Sequence, residues 1–241
     1  MSSVGDVFDR TLRALRLRWK PLVGIMAIEI VGRYTLLLAG ALGIVFILVG
    51  GLDLSVLTNL AGRLKEPGVI LSRAIPLLAL VTALLLALAL FETWMITALF
   101  YAAEQPAPTV ADALVSGARH STAFGWILTL ASLAAMAGFL LLLVPGVLLC
   151  FAFMLAPSAY FLEGRTGWSA LKRSWEAMSP RPAHAAASLG AGWLALFGVG
   201  GLLGAFGLPF AGDVVCLAAG PWIATLHSTV FRELTGKEAL A

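Results

Sequence analysis

Long stretches without charged side chains alternate with short polar segments along this chain. Residues 121–162 contain no Asp, Glu, Lys, Arg or His, and this run is twice the roughly 20 residues that a helix needs to cross a bilayer. Pro145 and Gly146 stand near its middle, and a Pro-Gly pair there predicts a turn or sharp kink between two spans. The pattern therefore indicates helices that cross a membrane.

Further uncharged runs cover residues 34–52, 74–91, 93–103, 185–212 and 214–226. Lipid cannot satisfy free backbone amide groups, so each run is predicted as helix, and the runs are too long and continuous for barrel strands. We predict an all-α polytopic bundle, one integral membrane domain over residues 1–241, in which residues 1–20 form a cytoplasmic amphipathic helix. Its six spans are predicted at about 22–49, 75–101, 122–143, 147–162, 186–208 and 214–231.

The composition excludes several classes of protein. Charged residues make up 12% of the 241 residues and apolar residues 60%, whereas an ordinary soluble domain has roughly 25% charged residues. Too few polar groups are present to cover the surface of a soluble globule of this size. A soluble enzyme, a secreted disulfide scaffold, a disordered tail and a nucleic-acid-binding protein are all disfavoured. Cys150 and Cys216 fall inside predicted spans and are interpreted as packing residues.

The basic residues predict the orientation of the bundle. With six spans, both termini lie on one side, and that side carries 12 of the basic residues against 3 on the other, while Arg33 lies within a span. Basic loops stay in the cytoplasm, so both termini are predicted to be cytoplasmic and residues 50–73 to form the long outer loop. Anionic lipid headgroups are the expected partners of the cytoplasmic basic residues, and no nucleic acid is needed to explain them.

Three segments open with similar polar pairs, and each precedes a predicted transmembrane hairpin. Ser3 and Asp6 have the spacing of a capping box, Thr109 and Asp112 repeat it, and residues 166–169 form a looser third copy. We interpret these as a threefold internal repeat of interfacial helix, span out and span back. The alternative is that any short cytoplasmic helix beside a membrane is amphipathic.

The third segment predicts a helix over residues 168–178 along the cytoplasmic interface. Trp168, Leu171, Trp175 and Met178 follow helical spacing and form the predicted apolar stripe, away from Lys172 and Arg173. This stripe is expected to face the bundle or lipid.

The stretch from Pro145 to Met178 carries a family resemblance. It combines Pro145-Gly146, an apolar span, Pro157, Glu163-Gly164 and a helix with the residues Ala170, Leu171, Lys172, Arg173, Ser174 and Trp175. This pattern resembles the membrane domain attached to some bacterial glycerophosphoryl diester phosphodiesterases and its stand-alone YciC-like relatives. The closing residues 221–234 are similar too, although Phe231 stands where a Tyr is more usual.

The resemblance implies a six-span protein of the bacterial inner (plasma) membrane. It does not imply phosphodiesterase activity, because that activity belongs to a separate soluble domain of those proteins. Ten residues follow Phe231, and we therefore expect no such domain in this chain.

Three charged residues fall inside predicted spans, namely Glu29, Arg33 and Glu92. Each costs about 2.5–3.5 kcal/mol at the bilayer centre unless it finds a partner or water. Glu29 and Arg33 are four residues apart and share a helix face, and Arg33 is expected to bridge toward both carboxylates. Two interpretations stay open: an ion cluster that pins span 1 to span 2, or a polar site at a cavity that binds a proton or a cationic group.

The remaining candidates are weaker. Glu163 is predicted either to tether the helix of Lys172 and Arg173 or to be a plain interfacial charge. Gly200 and Gly204 have the small-xxx-small spacing that favours close helix packing. His120, His184 and His227 are interpreted as histidines at span boundaries.

No catalytic, metal-binding or cofactor motif is recognised in the sequence. The first hypothesis is therefore a non-catalytic membrane protein, acting as a scaffold, assembly partner or membrane-homeostasis factor with a protein partner. The alternative is a small transporter or channel-like protein for a lipid or small solute. A polar cavity at the membrane midplane would favour transport, and a closed bundle with a cytoplasmic groove would favour a partner role.

Overall fold

The computed structural model describes residues 3–49, 67–106, 108–205 and 211–236, and they form eight helices without a strand in these ranges. In chain order they are α1 Val4–Val49, α2 Pro67–Glu104, α3 Val110–Leu141, α4 Leu143–Phe153, α5 Ala156–Glu163, α6 Trp168–Met178, α7 Pro182–Ala205 and α8 Ala211–Thr235. The all-α prediction is confirmed. The predicted outer loop 50–73 lies outside the described residues, apart from the start of α2.

Four helical segments in the described part of the chain are long and apolar enough to cross a membrane: Val4–Ile47, Ala74–Glu104, Val110–Leu141 and Leu143–Glu163. The last of these comprises α4 and α5. The chain is thus a helical protein with the spans of a membrane protein. The full count of six spans and the threefold repeat stay predictions.

The predicted helix 1–20 and the predicted span 22–49 are one continuous helix, so the separation between them is wrong. Pro21 lies inside α1, where it removes one helical hydrogen bond. The cost is tolerated because one face of the helix is buried on both sides of the proline, including Val7, Leu22 and Ile25. Similarly, α3 runs from the capping box at Thr109 directly into the predicted span 122–143.

The predicted capping boxes are confirmed at the first two openings. The Ser3 hydroxyl accepts the Asp6 amide at 3.2 Å, and the Asp6 carboxylate accepts the Ser3 amide at 2.6 Å. Thr109 and Asp112 form the same reciprocal pair. The third opening differs, because α6 begins after Gly167 without a side-chain cap and the Ser169 hydroxyl instead donates to the Thr166 carbonyl at 2.7 Å.

The break between the third and fourth predicted spans lies at Leu142, not at Pro145-Gly146. Leu142 is extended, with φ −166° and ψ 154°, and α4 begins at the next residue. Pro145 therefore occupies the first turn of α4, where backbone N–H groups have no partner within the helix, and its missing N–H costs little. A Pro-Gly pair marks a helix start here and not the turn itself.

The predicted span 147–162 is also divided. A turn at Met154 and Leu155 separates α4 from α5, and Pro157 lies in the first turn of α5. Each proline of this region thus stands just inside a helix start.

Residues 28–92 form one compact unit, and residues 1–27 with 93–241 form the other. In the first, α1 packs along α2 through small residues, and Gly32 faces the Phe91 ring while Gly40 faces Leu84. In the second, α3 packs on α4 and α7 on α8, while α6 packs on α4 and α5. Its core joins Val7, Leu155, Ala159, Met178, Leu189, Leu226 and Phe231.

The capping box at the start of α3 predicts a stability effect. Thr109→Ala removes the acceptor of the Asp112 amide and should lower the free energy of unfolding by about 1 kcal/mol. Thermal unfolding in detergent would measure it. Thr35→Ala serves as the control, because the exposed Thr35 hydroxyl donates only to its own helix, at the Val31 carbonyl. Equal losses in both variants would contradict the capping role.

Candidate functional site

The three charged residues of the predicted spans meet in the unit formed by residues 28–92. Glu29 and Arg33 lie one turn apart on α1, and an Arg33 Nη2 group donates to Glu29 Oε1. Arg33 Nε lies 2.8 Å from Glu92 Oε1 on α2. Arg33 therefore contacts both carboxylates, as the spacing predicted.

The members of this intramembrane cluster (Glu29, Arg33 and Glu92) differ in exposure. The Glu29 side chain is 3% exposed and that of Arg33 33%, and the Glu92 side chain is 34% exposed. Glu29 Oε2 is buried without a hydrogen-bond partner in the described part of the chain. At about 1.5 Å per residue, Glu29 lies roughly 13 Å along α1 from Lys20.

One ion pair organises the segment that we call the cytoplasmic motif after its predicted location, namely Glu163, Lys172, Arg173, Ser174 and Trp175. Arg173 Nε donates to Glu163 Oε2 at 2.7 Å and Arg173 Nη2 to Glu163 Oε1 at 3.0 Å. This paired geometry joins the end of α5 to the middle of α6, so Glu163 tethers the helix as one interpretation predicted. The hydrogen bonding that Arg173 donates to Glu163 raises the pKa of the Arg173 guanidinium. Lys172 does not belong to this ion pair. Its ammonium group lies 3.9 Å from the Glu176 carboxylate, and both side chains are exposed.

A glycine in a left-handed conformation and a small buried side chain allow the Glu163–Arg173 ion pair to form. Gly164 ends α5 with φ +66°, a conformation that side chains disfavour. The buried Ser174 hydroxyl donates to the Ala152 carbonyl at 2.6 Å, which fixes α6 against α4. The Arg173 guanidinium also lies 6.0 Å from the centre of the Phe231 ring. The middle and closing parts of the recognised pattern are therefore in contact.

The helix predicted over 168–178 is confirmed with the same bounds, and the residues of its predicted apolar stripe divide into a buried pair and an outward pair. Leu171 and Met178 are buried, together with the small residues Ala170, Ser174 and Ala177. Trp168 is 62% exposed and Trp175 50% exposed. Small side chains let α6 approach α4 and α5 closely, and this turns both indoles outward.

Sequence reasoning missed a second buried ion pair. Glu104 at the end of α2 contacts Arg232 of α8 at 2.9 Å, with only 2% of the Glu104 side chain exposed. Arg18 is buried beside it and donates to the Ala103 carbonyl. Arg18 and Arg232 are among the 12 basic residues that the sequence predicts on the cytoplasmic side. Helical spacing was the available signal, because Arg18 shares the buried face of α1 with Thr11, Leu22 and Ile25.

A neighbouring cluster ties three helices together. Glu233 of α8 accepts from Arg10 of α1 at 3.0 Å, and His184 of α7 lies 3.2 Å from its other oxygen. His120 lies 2.7 Å from the Tyr160 hydroxyl. His227 is buried, and its ring lies near the Phe100 and Trp193 rings.

The other predicted packing residues gain no support. Gly200 and Gly204 lie in α7, but their surroundings fall outside the described part of the structure. Cys150 is exposed rather than packed, and the side chain of Cys216 is likewise not described.

Two open grooves accompany these clusters. One, of about 500 Å³, lies between the end of α2 and the start of α3 and is lined by Tyr101, Gln105, Pro106, Pro108, Ala111, Asp112, Val115, Ser116 and Arg119. The other, of about 410 Å³, lies farther along the same helices and is lined by Thr93, Gly125, Leu128, Thr129, Ser132, Leu133 and Met136. We call them the end groove and the mid-span groove. Arg33 is not among the residues that line the end groove or the mid-span groove.

Among the described residues, no three His, Cys, Asp or Glu side chains stand close enough to hold a metal ion. No known protein family, curated protein or solved structure matches the chain. The residues themselves therefore carry the functional argument.

The intramembrane cluster predicts that a single and a double variant differ in their free energy of unfolding. Arg33→Leu strands the buried Glu29 and leaves Glu92 without its cation, so it should lower the free energy of unfolding by roughly 1–3 kcal/mol more than Arg33→Leu combined with Glu92→Leu. Thermal unfolding in detergent measures the difference. Arg16→Leu, at an exposed position of the same helix, is the matched control and should have little effect. A double variant that is less stable than the single one would contradict the pairing.

Proposed function

We propose that this chain is a non-catalytic, multi-pass protein of the bacterial inner membrane, acting as a scaffold, assembly partner or membrane-homeostasis factor. Its six spans would be the four long apolar segments together with α7 and α8, which have 24 and 25 residues. Both lengths exceed the roughly 20 residues needed for a crossing. The excess of basic residues at the termini supports cytoplasmic ends.

We further propose membership of the membrane-domain family that the sequence resembles. The residues of the pattern have related physical roles, which supports this assignment. Pro145 and Pro157 lie in first helical turns, Gly164 closes α5, and Glu163 pairs with Arg173. A motif in which each residue contributes to one local arrangement is more specific than a shared hydropathy pattern.

The end groove carries the proposal of a partner role. In the proposed topology it opens to the cytoplasm, and it is bordered by the capping box of α3 and by Arg119. The Glu104–Arg232 pair holds the end of α2, one wall of the groove, against α8. The groove is open and has both polar and apolar walls, and one wall is fixed by a buried ion pair. These features support binding of an extended protein segment more than a reaction that needs a positioned nucleophile and base.

Transport is the second candidate, and the mid-span groove favours it. Thr93, Thr129 and Ser132 bring hydroxyl groups into a region that the hydropathy pattern assigns to the membrane. A cysteine at residue 132 that reacts with a membrane-impermeant thiol reagent would reveal a water-filled path and support transport. A residue that faces lipid alone would stay unreactive.

The proposed topology predicts the labelling of an engineered cysteine at residue 60, with Cys150 and Cys216 replaced by Ala. In intact cells it should react with an impermeant thiol reagent added from outside, because the outer loop faces away from the cytoplasm. A cysteine at Arg13 is the matched control and should react only after the membrane is opened. The reverse pattern would overturn the orientation.

The partner role predicts a position-specific crosslink. A photoreactive residue at Val115, which lines the end groove, should form a discrete protein adduct in intact cells. The adduct should disappear when Ser116→Trp fills the groove. Leu17, an exposed residue of α1, is the control position and should give no such adduct. Adducts to lipid alone, or equal adducts from both positions, would contradict a partner in the groove.

A further inference from the structure

The intramembrane cluster does not balance in charge. Two carboxylates, Glu29 and Glu92, share one guanidinium, Arg33. These are the ionised side chains that the described parts of α1 and α2 bring to this place, so a fully ionised cluster carries one surplus negative charge. Apolar side chains of the same two helices, including Val31 and Leu90, are exposed. Hydrocarbon opposes a surplus charge.

A second observation points to what neutralises the charge. Glu29 Oε2 is buried and accepts no hydrogen bond from the described residues, and both the Glu29 and the Glu92 carboxylates contact the same guanidinium. Two ionised carboxylates can only accept hydrogen bonds, and they repel each other. One proton bound by the two carboxylates removes the surplus charge and the repulsion between them.

We propose that Glu29 and Glu92 together bind one proton, with Arg33 holding the remaining negative charge. A hydronium ion gives its proton to one carboxylate, an O–H bond forms and water is released, so the loaded cluster is neutral. Glu92, a third of whose side chain is exposed, is the group that exchanges the proton with the surroundings. Glu29 is the buried group that retains it. This proton site is independent of whether the protein serves as a scaffold or a transporter.

Infrared difference spectroscopy on the full chain in lipid bilayers at neutral pH tests the proposal. The wild type should show the carbonyl band of a protonated carboxylic acid. Glu92→Gln should abolish that band, and so should Glu29→Gln, because the remaining carboxylate then pairs one-to-one with Arg33 and stays ionised. Arg33→Gln removes the cation, so both carboxyls should be protonated and the band should increase about twofold.

Glu163→Gln is the matched control, since Glu163 also pairs with a single arginine at a helix end. It should reduce the carboxylate bands and leave the protonated-acid band unchanged. Circular dichroism and a single size-exclusion peak establish that each glutamine variant is folded. Wild-type spectra from which Glu92→Gln removes only a carboxylate band would overturn the proposal, and would mean that a cation or a basic side chain of a partner helix balances the cluster.

Discussion

Every charge that this protein removes from water has to be balanced inside the protein, because hydrocarbon neither hydrates an ion nor supplies a hydrogen bond. The clusters follow from this constraint. Arg33 contacts two carboxylates within residues 28–92, and Glu104 contacts Arg232 in the other unit. Since such pairs form only when two helices are in register, they select one packing among the many that equally apolar helices could adopt.

The backbone N–H and C=O groups at helix ends also need partners inside the protein. Serine and threonine hydroxyls satisfy amides at the starts of α1 and α3. Proline occupies first turns in α4 and α5, where no amide is needed. Gly164 closes α5 in a left-handed conformation and directs the chain into α6. The local residue choices therefore determine where helices start and stop, and the ion pairs determine how they meet.

In the cytoplasmic motif, local residue choices and an ion pair together determine how the helices meet. The Glu163–Arg173 pair sets the distance between α5 and α6, while Ser174 and its alanine neighbours permit close contact with α4. Large aromatic side chains do not fit against that contact, so Trp168 and Trp175 are exposed. Their outward position is available to the membrane interface, where indole rings are favoured.

Sequence alone determined the helical class, the long apolar segments, two capping boxes, the bounds of α6 and the meeting of Glu29, Arg33 and Glu92. These depend on residue type and on spacing within a helix, which are local properties. Tertiary structure decided what depends on a neighbour: the continuity of α1 through Pro21, the break at Leu142, the outward tryptophans, and the burial of Arg18, Glu104 and His227. Hydropathy treats an arginine or glutamate near a span end as solvated. Only the packing of α2 and α8 shows that Glu104 and Arg232 meet out of water, because a charge is buried where another helix brings its counter-charge.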